Sequence, residues 1–393
     1  MIIGLANNAY PEKRCITCID TNTFVNLKKN NVYLYLNYVD AKLGKTQPNY
    51  LFRSFLPLSG YRLDLLHFFN HIPMTNKKWV VSFETAIPRI RENITSHRVR
   101  DVAELPPANA KTEKVLKLVA QDNCIALIAI SQCAYDIQMA VLSAYPSLMQ
   151  KIAAKVKVVH PPQKLLANTK EPFDQKVNFL FVGKDFYRKG GAEVILAFSD
   201  LLEEGSITAE QFTLTVVGDT GSRHNYLHGK FQDTERFHSD LNAKMLAMSC
   251  LKVHQSMPNK DVIATMLRSD IGLLPTWGDT YGYSVLEMQS CGCPVISTNV
   301  RALPEINGPE AGWQIDLKLN RFGELLIDSE EDKYATRKKI IDSLKDIITE
   351  AVRDRAMILQ KAQNAIMRIK EEHDPLRYKE TINAIYTQSP AKR

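Results

Sequence analysis

Two carboxylates, Asp279 and Glu287, stand on either side of a glycine in the stretch GDTYGYSVLEMQ. Gly282 lets a ligand approach the backbone closely, and the N–H groups of Tyr283 and Ser284 would begin a helix aimed at a phosphate. Carboxylates suit the other part of such a ligand, because they accept hydrogen bonds from the hydroxyl groups of a ribose or a sugar. The stretch therefore predicts a site that binds phosphate and hydroxyl groups together.

A second stretch, FLFVGKDFYRKGG, gathers cations where a strand gives way to a helix. Gly183 ends the apolar run, and Lys184, Arg188 and Lys189 precede the Gly-Gly pair that opens the helix. Full positive charges would add to the anion-binding tendency of a helix N-terminus. We predict a phosphate site here; the structural alternative is a basic surface cluster on a loop.

The elements around these motifs alternate between strand and helix throughout the second half of the chain. Short apolar runs followed by glycine or turn residues predict strands, and apolar residues at helical spacing predict helices. Such alternation is typical of a parallel sheet that binds ligands at the carboxyl ends of its strands. The predicted strands are 177–183, 212–219 (ending in Gly218-Asp219), 271–276 and 294–298, and the predicted helices are 190–202, 261–270 and 283–292.

The first half alternates less regularly, and Glu84 is its most prominent candidate. WVVSF predicts a buried strand that ends in Glu84, and the following residues to Pro88 turn the chain away, so the carboxylate should emerge at the carboxyl end of the strand. The structural alternative is a glutamate that caps the turn. Strands are predicted at 31–39, 63–70, 78–84, 124–131 and 155–162, with His160-Pro161-Pro162 as the domain boundary.

Composition is that of an ordinary globular protein, with 393 residues, 45% of them hydrophobic and 24% charged. This length favours two domains, and we expect two Rossmann-like α/β domains that face each other across a cleft. No apolar run is long enough to span a bilayer and the first residues lack a signal-peptide pattern, so a cytoplasmic protein is expected. Seven scattered cysteines indicate reduced thiols, and Cys15 and Cys18 lack the partners of a zinc site.

Positive charge is concentrated in the first half of the chain. Residues 1–160 carry 20 Lys and Arg against 11 Asp and Glu, a net charge of +9, whereas the remainder carries 30 against 32. This asymmetry predicts contact with an anionic membrane surface, or with an acceptor that carries phosphate or lipid, through the run RIRENITSHRVR (89–100). The alternative is a solvated basic face; no nucleic-acid partner is expected.

Four stretches in order, FVGKDFYRKGG, LTVVGDT, LPTWGDTYGYSVLEMQSCGCPVIST and NVRALPEI, resemble the nucleotide-binding domain of GT-B glycosyltransferases, in particular family 4. The resemblance covers roughly residues 155–316, and the first half is similar in outline only. It implies an acceptor-binding domain over 1–162, a nucleotide-sugar-binding domain over 163–373, and a C-terminal helix over 374–393 that packs back on the first domain.

The same resemblance implies a retaining transfer of a sugar from a nucleotide-sugar donor to an acceptor hydroxyl, in polysaccharide, lipopolysaccharide or glycolipid assembly. Glu287 would bind the ribose, Asp279 the transferred sugar, and Lys184 and Lys189 the diphosphate, with no cofactor or metal ion required. The family often has glutamate at the first carboxylate position, so Asp279 is a departure. Gly218 and Arg188 complete the predicted donor site, and Glu84, Asp279 and Lys189 are the catalytic candidates.

Glu84 stands where related enzymes often place a histidine, so two roles stay open for it: a general base for an inverting reaction, or a charge that stabilises a cationic sugar. Two alternatives to transfer also remain. One is a GT-B nucleotide-sugar epimerase, and the other is a non-catalytic sugar-nucleotide-binding module that regulates a partner. A Rossmann dehydrogenase is excluded, because the first strand supplies Gly4 alone instead of G-x-G-x-x-G.

Overall fold

A computed structural model describes residues 1–45, 47–171 and 176–388. The chain divides into two compact units, Met1–Pro162 together with the segment from His373 onward (unit 1), and Gln163–Glu372 (unit 2). Each unit is built on a six-stranded sheet whose paired strands run parallel, flanked by helices. No described helix has the length and apolar character needed to cross a bilayer.

The sheet of unit 1 has the strand order β2-β1-β4-β6-β7-β8, and a short parallel pair, β3 with β5, lies beside it. Its central strands β4 and β6 are buried along their whole length. The elements in chain order are β1 (Ile2–Leu5), α1 (Tyr10–Cys15), β2 (Thr23–Asn26), α2 (Val32–Lys42), β3 (Leu51–Phe52), β4 (Leu65–Phe69), β5 (Ile72–Pro73), β6 (Trp79–Phe83), α3 (Ala110–Val119), β7 (Cys124–Ala129), α4 (Gln132–Ser143), α5 (Pro146–Ala153) and β8 (Val156–Val158).

The prediction of a strand at 31–39 was wrong, because this segment forms helix α2. Tyrosine and valine favour strands, and residues 31–39 are rich in both, which explains the wrong prediction. The side chain of Asn31 caps the helix by accepting a hydrogen bond from the N–H of Tyr33. Further along, Asn37 and Asp40 lie on one side of the helix and attach it to the rest of unit 1. These polar residues at helical spacing decide the local structure.

Unit 2 continues with β9 (Val177–Asp185), α6 (Gly191–Glu203), β10 (Phe212–Asp219), α7 (Glu235–Ala247), β11 (Leu251–His254), α8 (Asn259–Arg268), β12 (Ile271–Leu274), α9 (Tyr283–Ser290), β13 (Val295–Thr298), α10 (Leu303–Ile306), β14 (Gly312–Ile315), α11 (Glu330–Arg353) and α12 (Arg355–Glu372). Every strand and helix predicted between residues 177 and 298 is present, with ends shifted by a few residues. The strand order is β11-β10-β9-β12-β13-β14. The order therefore reverses between β9 and β12, which makes this pair the topological switch point where open α/β sheets bind ligands.

The last helix, α13 (Pro375–Thr387), returns to unit 1. The hydroxyl of Tyr386 lies 2.6 Å from Nδ1 of His67, which is fully buried on β4. Nearer the start of the helix, the hydroxyl of Tyr378 donates a hydrogen bond to the carbonyl of Cys15 at 2.6 Å. Of the C-terminal helix predicted over 374–393, residues 389–393 lie outside the described part of the chain.

Candidate functional site

The loops that follow β9 and β12 meet at the switch point of unit 2. Gly190 ends the first loop with a φ of +85°, and a Cβ atom there would stand 2.1 Å from the carbonyl oxygen of Pro275 in the second. The N–H of Trp277 donates to the carbonyl of Arg188 at 3.0 Å, which fixes one loop against the other. Only glycine combines this backbone conformation with such a close approach.

Lys189 and Asp279, two of the three catalytic candidates, form an ion pair between these loops. Each side chain is 16% exposed, so both charges are largely removed from water. Burial lowers the pKa of Lys189, and the charge of Asp279 offsets part of that effect. Burial alone would raise the pKa of Asp279, but the ammonium of Lys189 outweighs it and holds this pKa below its ordinary value. The structure thus brings together two residues that are 90 positions apart.

Arg188 holds the loops together and is occupied by protein groups. Its guanidinium forms an ion pair with Asp185 and donates a hydrogen bond to the carbonyl of Gly278 at 2.6 Å. Burial acts to lower its pKa, yet the hydrogen bond that it donates to Asp185 raises the pKa above its ordinary value. Lys184, by contrast, is exposed at the end of β9. Of the three predicted cations, Lys189 is therefore paired with Asp279, Arg188 is bound by Asp185 and Gly278, and Lys184 is exposed.

Gly183 and Gly218 lie beside each other on β9 and β10. A Cβ at Gly218 would stand 2.4 Å from the carbonyl oxygen of Gly183, and a Cβ at Gly183 would stand 2.8 Å from Cβ of Lys189. The two glycines therefore allow the stem of Lys189 to lie directly over the strand end. Their observed contribution is to position this lysine.

Helix α9 begins at Tyr283, as the sequence predicted, and its N-cap is Gly282 with a φ of +90°. No side chain caps this helix, and within its first turn the N–H of Val285 donates to the carbonyl of Gly282 at 2.9 Å. Ser284 and Glu287 are half-buried on the helix. This is the backbone arrangement that favours an anion at a helix N-terminus.

A buried network supports the second loop from below. Trp277 is fully buried, and its ring lies 4.4 Å from that of His228. The guanidinium of Arg337, on α11, lies 5.6 Å from the Trp277 ring and forms ion pairs with Asp233 and Glu193. Trp277 therefore supports the loop and is not available to stack on a sugar. Tyr281 is only 1% exposed, so its ring is not available to stack on a sugar either.

Glu84 follows β6 in unit 1, where the sequence placed it. Its Oε1 accepts a hydrogen bond from the side-chain amide of Asn70 at 3.2 Å and forms an ion pair with Arg89. Beside them, His71 bonds the carbonyl of Phe69, and burial lowers the pKa of this histidine to about 4. Asn70 and Arg89 were not predicted from the sequence as partners of Glu84. Asn70 has a φ of 59°, a left-handed backbone conformation that asparagine adopts more readily than most residues.

The basic run at 89–100 is not a continuous array of exposed cations. Arg89 is paired with Glu84, and Arg91 is paired with Asp40 and donates to the carbonyl of Gln47. Both arginine side chains are less than a quarter exposed, at 22% and 23%. The location predicted for an anionic surface contact is therefore not supported by these two residues.

A cavity of about 760 Å³ lies at the amino ends of β9, β10 and β12, lined by Asn178, Thr213, Lys252 and Asp270 among others. None of its described lining residues belongs to the predicted donor site. In parallel sheets ligands bind at the opposite, carboxyl ends. We therefore place the candidate site at the loops of Lys189 and Asp279 and not in this cavity.

Comparison with known proteins finds glycosyltransferases both among sequence relatives and among solved structures. The chain is 28% identical over 148 residues to the D-inositol 3-phosphate glycosyltransferase of Corynebacterium jeikeium, an alignment that covers 37% of this chain. It spans only 32% of that relative's length. Among solved structures, Anabaena HepE in complex with UDP has a TM-score of 0.58 at 14% identity, and each chain is covered to 98%.

WaaG, a glycosyltransferase involved in lipopolysaccharide biosynthesis, gives a TM-score of 0.57 at 15% identity, covering 98% of this chain and all of its own. At such identities these two structures establish the fold, and the predicted GT-B fold with two Rossmann-like domains is confirmed. The family model described as glycosyl transferases group 1 matches residues 163–361, which is about half of the chain and contains every residue of the predicted donor site but not Glu84. The chain belongs to the glycosyl transferases group 1 family.

Proposed function

We propose that this protein transfers a sugar from a nucleotide-sugar donor to an acceptor hydroxyl, with retention of the anomeric configuration. The observation that carries the proposal is the Lys189–Asp279 ion pair, held at the switch point of a parallel sheet in the same unit as the uncapped helix α9. Cation, carboxylate and helix N-terminus are the groups that a molecule with both phosphates and hydroxyls requires.

Lys189 has a role at the donor diphosphate. An ammonium has three N–H donors, so it can hold Asp279 and still donate to phosphate oxygens. Its positive charge stabilises the leaving nucleotide, whose negative charge grows as the glycosidic bond breaks. The N–H groups of Tyr283 and Ser284 serve the same oxygens, and exposed Lys184 contributes a further cation. Arg188 acts indirectly, by fixing the loop that carries Lys189.

The two carboxylates recognise the hydroxyl groups of the donor. Asp279 binds the transferred sugar and is oriented for this by its bond to Lys189, while Glu287 binds the ribose from the second turn of α9. Support for a uridine nucleotide comes from Anabaena HepE, a protein of the same fold that was solved with UDP-glucose. In the transfer itself, the departing phosphate accepts the acceptor's proton on the face from which it leaves, so no strong protein base is needed.

On the acceptor side, we propose a saccharide or a lipid-linked acceptor in the assembly of a polysaccharide, lipopolysaccharide or glycolipid. WaaG, which shares the fold, is involved in lipopolysaccharide biosynthesis. The net charge of +9 over residues 1–160 suits a phosphate-bearing acceptor and a peripheral position at the inner face of a membrane. Glu84, held by Arg89 and Asn70, contacts the acceptor or the sugar.

The decisive experiment is incubation with a panel of nucleotide sugars, with and without simple glycoside acceptors, followed by measurement of released nucleotide. Release from one donor is expected, and it should increase when an acceptor is present. The matched variants are Lys189→Ala, which should lower release about a hundredfold, and Lys260→Ala, a change of an exposed lysine on α8 that should leave release unchanged. Interconversion of two nucleotide sugars would instead identify an epimerase, and donor binding without any turnover would identify a regulatory module.

Metal independence is tested in the same assay with an excess of chelator. The proposed site stabilises the diphosphate with lysine and backbone N–H groups, so nucleotide release should be unchanged by the chelator. Loss of activity that manganese or magnesium restores would show that a metal ion supplies this stabilisation.

A further inference from the structure

Helix α2 turns its polar side toward the protein. Asn37 exchanges two hydrogen bonds with the backbone of Asn49, at 2.9 and 3.0 Å. One helical turn further on, Asp40 forms ion pairs with Arg91 and Lys45. No residue of α2 is buried, and Asn37 and Asp40 are only half-buried. Apart from Tyr33, which packs against the core of unit 1, the helix is thus attached by polar contacts, the reverse of an ordinary surface helix.

The opposite side of α2 is apolar and points outward. Five of its residues and its C-cap, Leu43, are between 36% and 70% exposed, and the adjoining loop adds two more at 57% and 61%. The loop joins the helix through a ring contact of 5.4 Å between Tyr35 and Phe55. We call this set the α2 surface: Leu34, Tyr35, Leu36, Tyr38, Val39, Leu43, Phe55 and Leu56. Contiguous exposure of this kind marks a surface that something covers.

Cations surround the α2 surface. Residues 28–56 contain five cations, Lys28, Lys29, Lys42, Lys45 and Arg53, all of them exposed, against the single carboxylate of Asp40. That carboxylate is already bound by Arg91 and Lys45, so it does little to offset the charge. The ammonium of Lys42 lies 5.6 Å from the ring of Tyr38, so charge and apolar surface are in direct contact. A partner for this surface must offer hydrocarbon and negative charge together.

We infer that the α2 surface binds the interface of an anionic lipid bilayer, with α2 lying in the membrane plane. Leucine and valine enter the acyl boundary, tyrosines occupy the headgroup level, and the lysines meet lipid phosphates. A second copy of this chain fits less well, because its own α2 surface would bring five further cations to the same place. A protein partner would more often meet a surface depleted of lysine. The inference rests on these contacts and does not depend on the proposed transfer reaction.

The test is co-sedimentation with vesicles of phosphatidylcholine alone and of phosphatidylcholine with phosphatidylglycerol, at low and high salt. The full-length chain should bind the anionic vesicles about tenfold more strongly at low salt than at high salt, because salt screens the lysines. The triple variant Tyr38→Ser, Val39→Ser, Leu43→Ser should lower binding to anionic vesicles by about tenfold or more, since it removes apolar area from the inserted face. All three side chains are exposed, so the fold should survive, and thermal unfolding checks this.

Matched controls separate this surface from exposed apolar residues in general. Leu246→Ser and Leu376→Ser remove leucines that are 80% and 67% exposed on α7 and α13, and both variants should bind vesicles like the unmodified chain. Nucleotide release from a soluble donor should be the same in the triple variant, so failure of the proposed reaction and failure of this inference are distinguishable. Equal vesicle binding by the triple variant and the unmodified chain would overturn the inference. So would a dimer that the triple variant dissociates while vesicle binding stays unchanged.

Discussion

Three helices of unit 1 and the two helices that follow the switch-point strands of unit 2 begin in different ways, although α7 and α11 of unit 2 are also capped by side chains and α1 and α5 of unit 1 are not. In unit 1, α2, α3 and α4 are each capped by a side chain, Asn31, Asn109 and Ser131, which accepts a hydrogen bond from the first turn. In unit 2, the helices that follow the switch-point strands, α6 and α9, begin after Gly190 and Gly282, and neither has a side-chain cap. A side-chain cap satisfies N–H groups within the protein, and a helix start without one favours an anion. The comparison supports the proposal that the donor phosphates bind at the switch point of unit 2.

Both units also hold a half-buried ion pair at the carboxyl end of the sheet. In unit 1, Glu84 pairs with Arg89, five positions away on the same loop. In unit 2, Lys189 pairs with Asp279 across two loops that the backbone holds together. The first pair can form within one loop, but the second exists only when β9 and β12 are assembled. Donor chemistry in unit 2 should therefore depend on the fold more strictly than the Glu84 site does.

The largest expected effect is that of Lys189→Ala or Glu287→Ala on nucleotide release. Loss of one positioned electrostatic contact should lower kcat by about a hundredfold, near 3 kcal/mol. The fold should remain, since neither side chain is part of the core, and circular dichroism at increasing temperature would check this. Steady-state kinetics with the identified donor provides the measurement. Near-normal rates in either variant would remove that residue from the proposed site.

Gly190→Ala tests the helix start of α6, whose N-cap is Gly190. Its φ of +85° and the carbonyl of Pro275 at 2.1 Å leave no place for a methyl group, so unfolding free energy should fall by about 3 kcal/mol. Ser131→Ala in unit 1 is the matched change, and loss of that cap should cost about 1 kcal/mol. Urea unfolding compares the two. A smaller loss at Gly190 than at Ser131 would contradict the special status of the switch-point loops.

Local pattern was sufficient to predict most of unit 2. Buried strands followed by glycine, and the helix start at Gly282, are encoded within a few residues, and periodicity detects them. Periodicity predicted a strand where α2 forms, because the apolar residues of this helix face outward. The contacts that attach the helix are made by Asn37 and Asp40 with other segments of the chain. A pattern method assumes that apolar side chains face a core. Here that assumption does not hold.

Contacts between distant parts of the chain were beyond sequence reasoning. Whether Trp277 supports its loop or stacks on a sugar depends on His228 and Arg337, about 50 and 60 positions away in the sequence. The pairing of Arg188 with Asp185 is local, yet its bond to Gly278 is not. Candidate residues could be named from motifs. Which of them a ligand can reach required the assembled loops.

A pH experiment tests the burial of His67, which lies on β4 beside Tyr386 of α13. Burial lowers the pKa of His67 to about 3, while in the unfolded chain it lies near 6.5. Between these values the unfolded state binds a proton that the folded state does not, so stability is lost as pH falls. From pH 7 to pH 5 this histidine alone should cost about 2 kcal/mol.

The variant His67→Gln keeps a polar side chain beside Tyr386 and Ser82 but cannot take up the proton. Its loss of stability between pH 7 and pH 5, measured by urea unfolding, should be smaller than that of the unmodified chain by the same amount. His224→Gln, at an exposed position of unit 2, should leave the pH dependence unchanged. Identical pH dependence in all three proteins would mean that His67 is not buried as described.

The smallest expected effect concerns Glu84. In Glu84→Gln the hydrogen bond from Asn70 can be kept, but the charge that faces Arg89 is lost. If Glu84 stabilises positive charge on the sugar, turnover should fall about tenfold while the Kd for the donor stays the same, because the charge develops only in the transition state. Asp40→Asn is the matched control, since Asp40 pairs with Arg91 in the same unit and the two carboxylates are equally exposed at 20%.

NMR of the product then decides between the two roles that Glu84 could have. A retained anomeric configuration is expected and makes Glu84 a group that positions or stabilises the sugar, because the departing phosphate takes the proton. Inversion would make Glu84 the general base, and its conversion to glutamine should then lower turnover far more than tenfold, since glutamine cannot accept that proton. If Glu84→Gln turns over like the unmodified enzyme, or loses no more than Asp40→Asn does, the ion pair with Arg89 is a structural feature of the turn after β6 and the chemistry belongs to unit 2 alone.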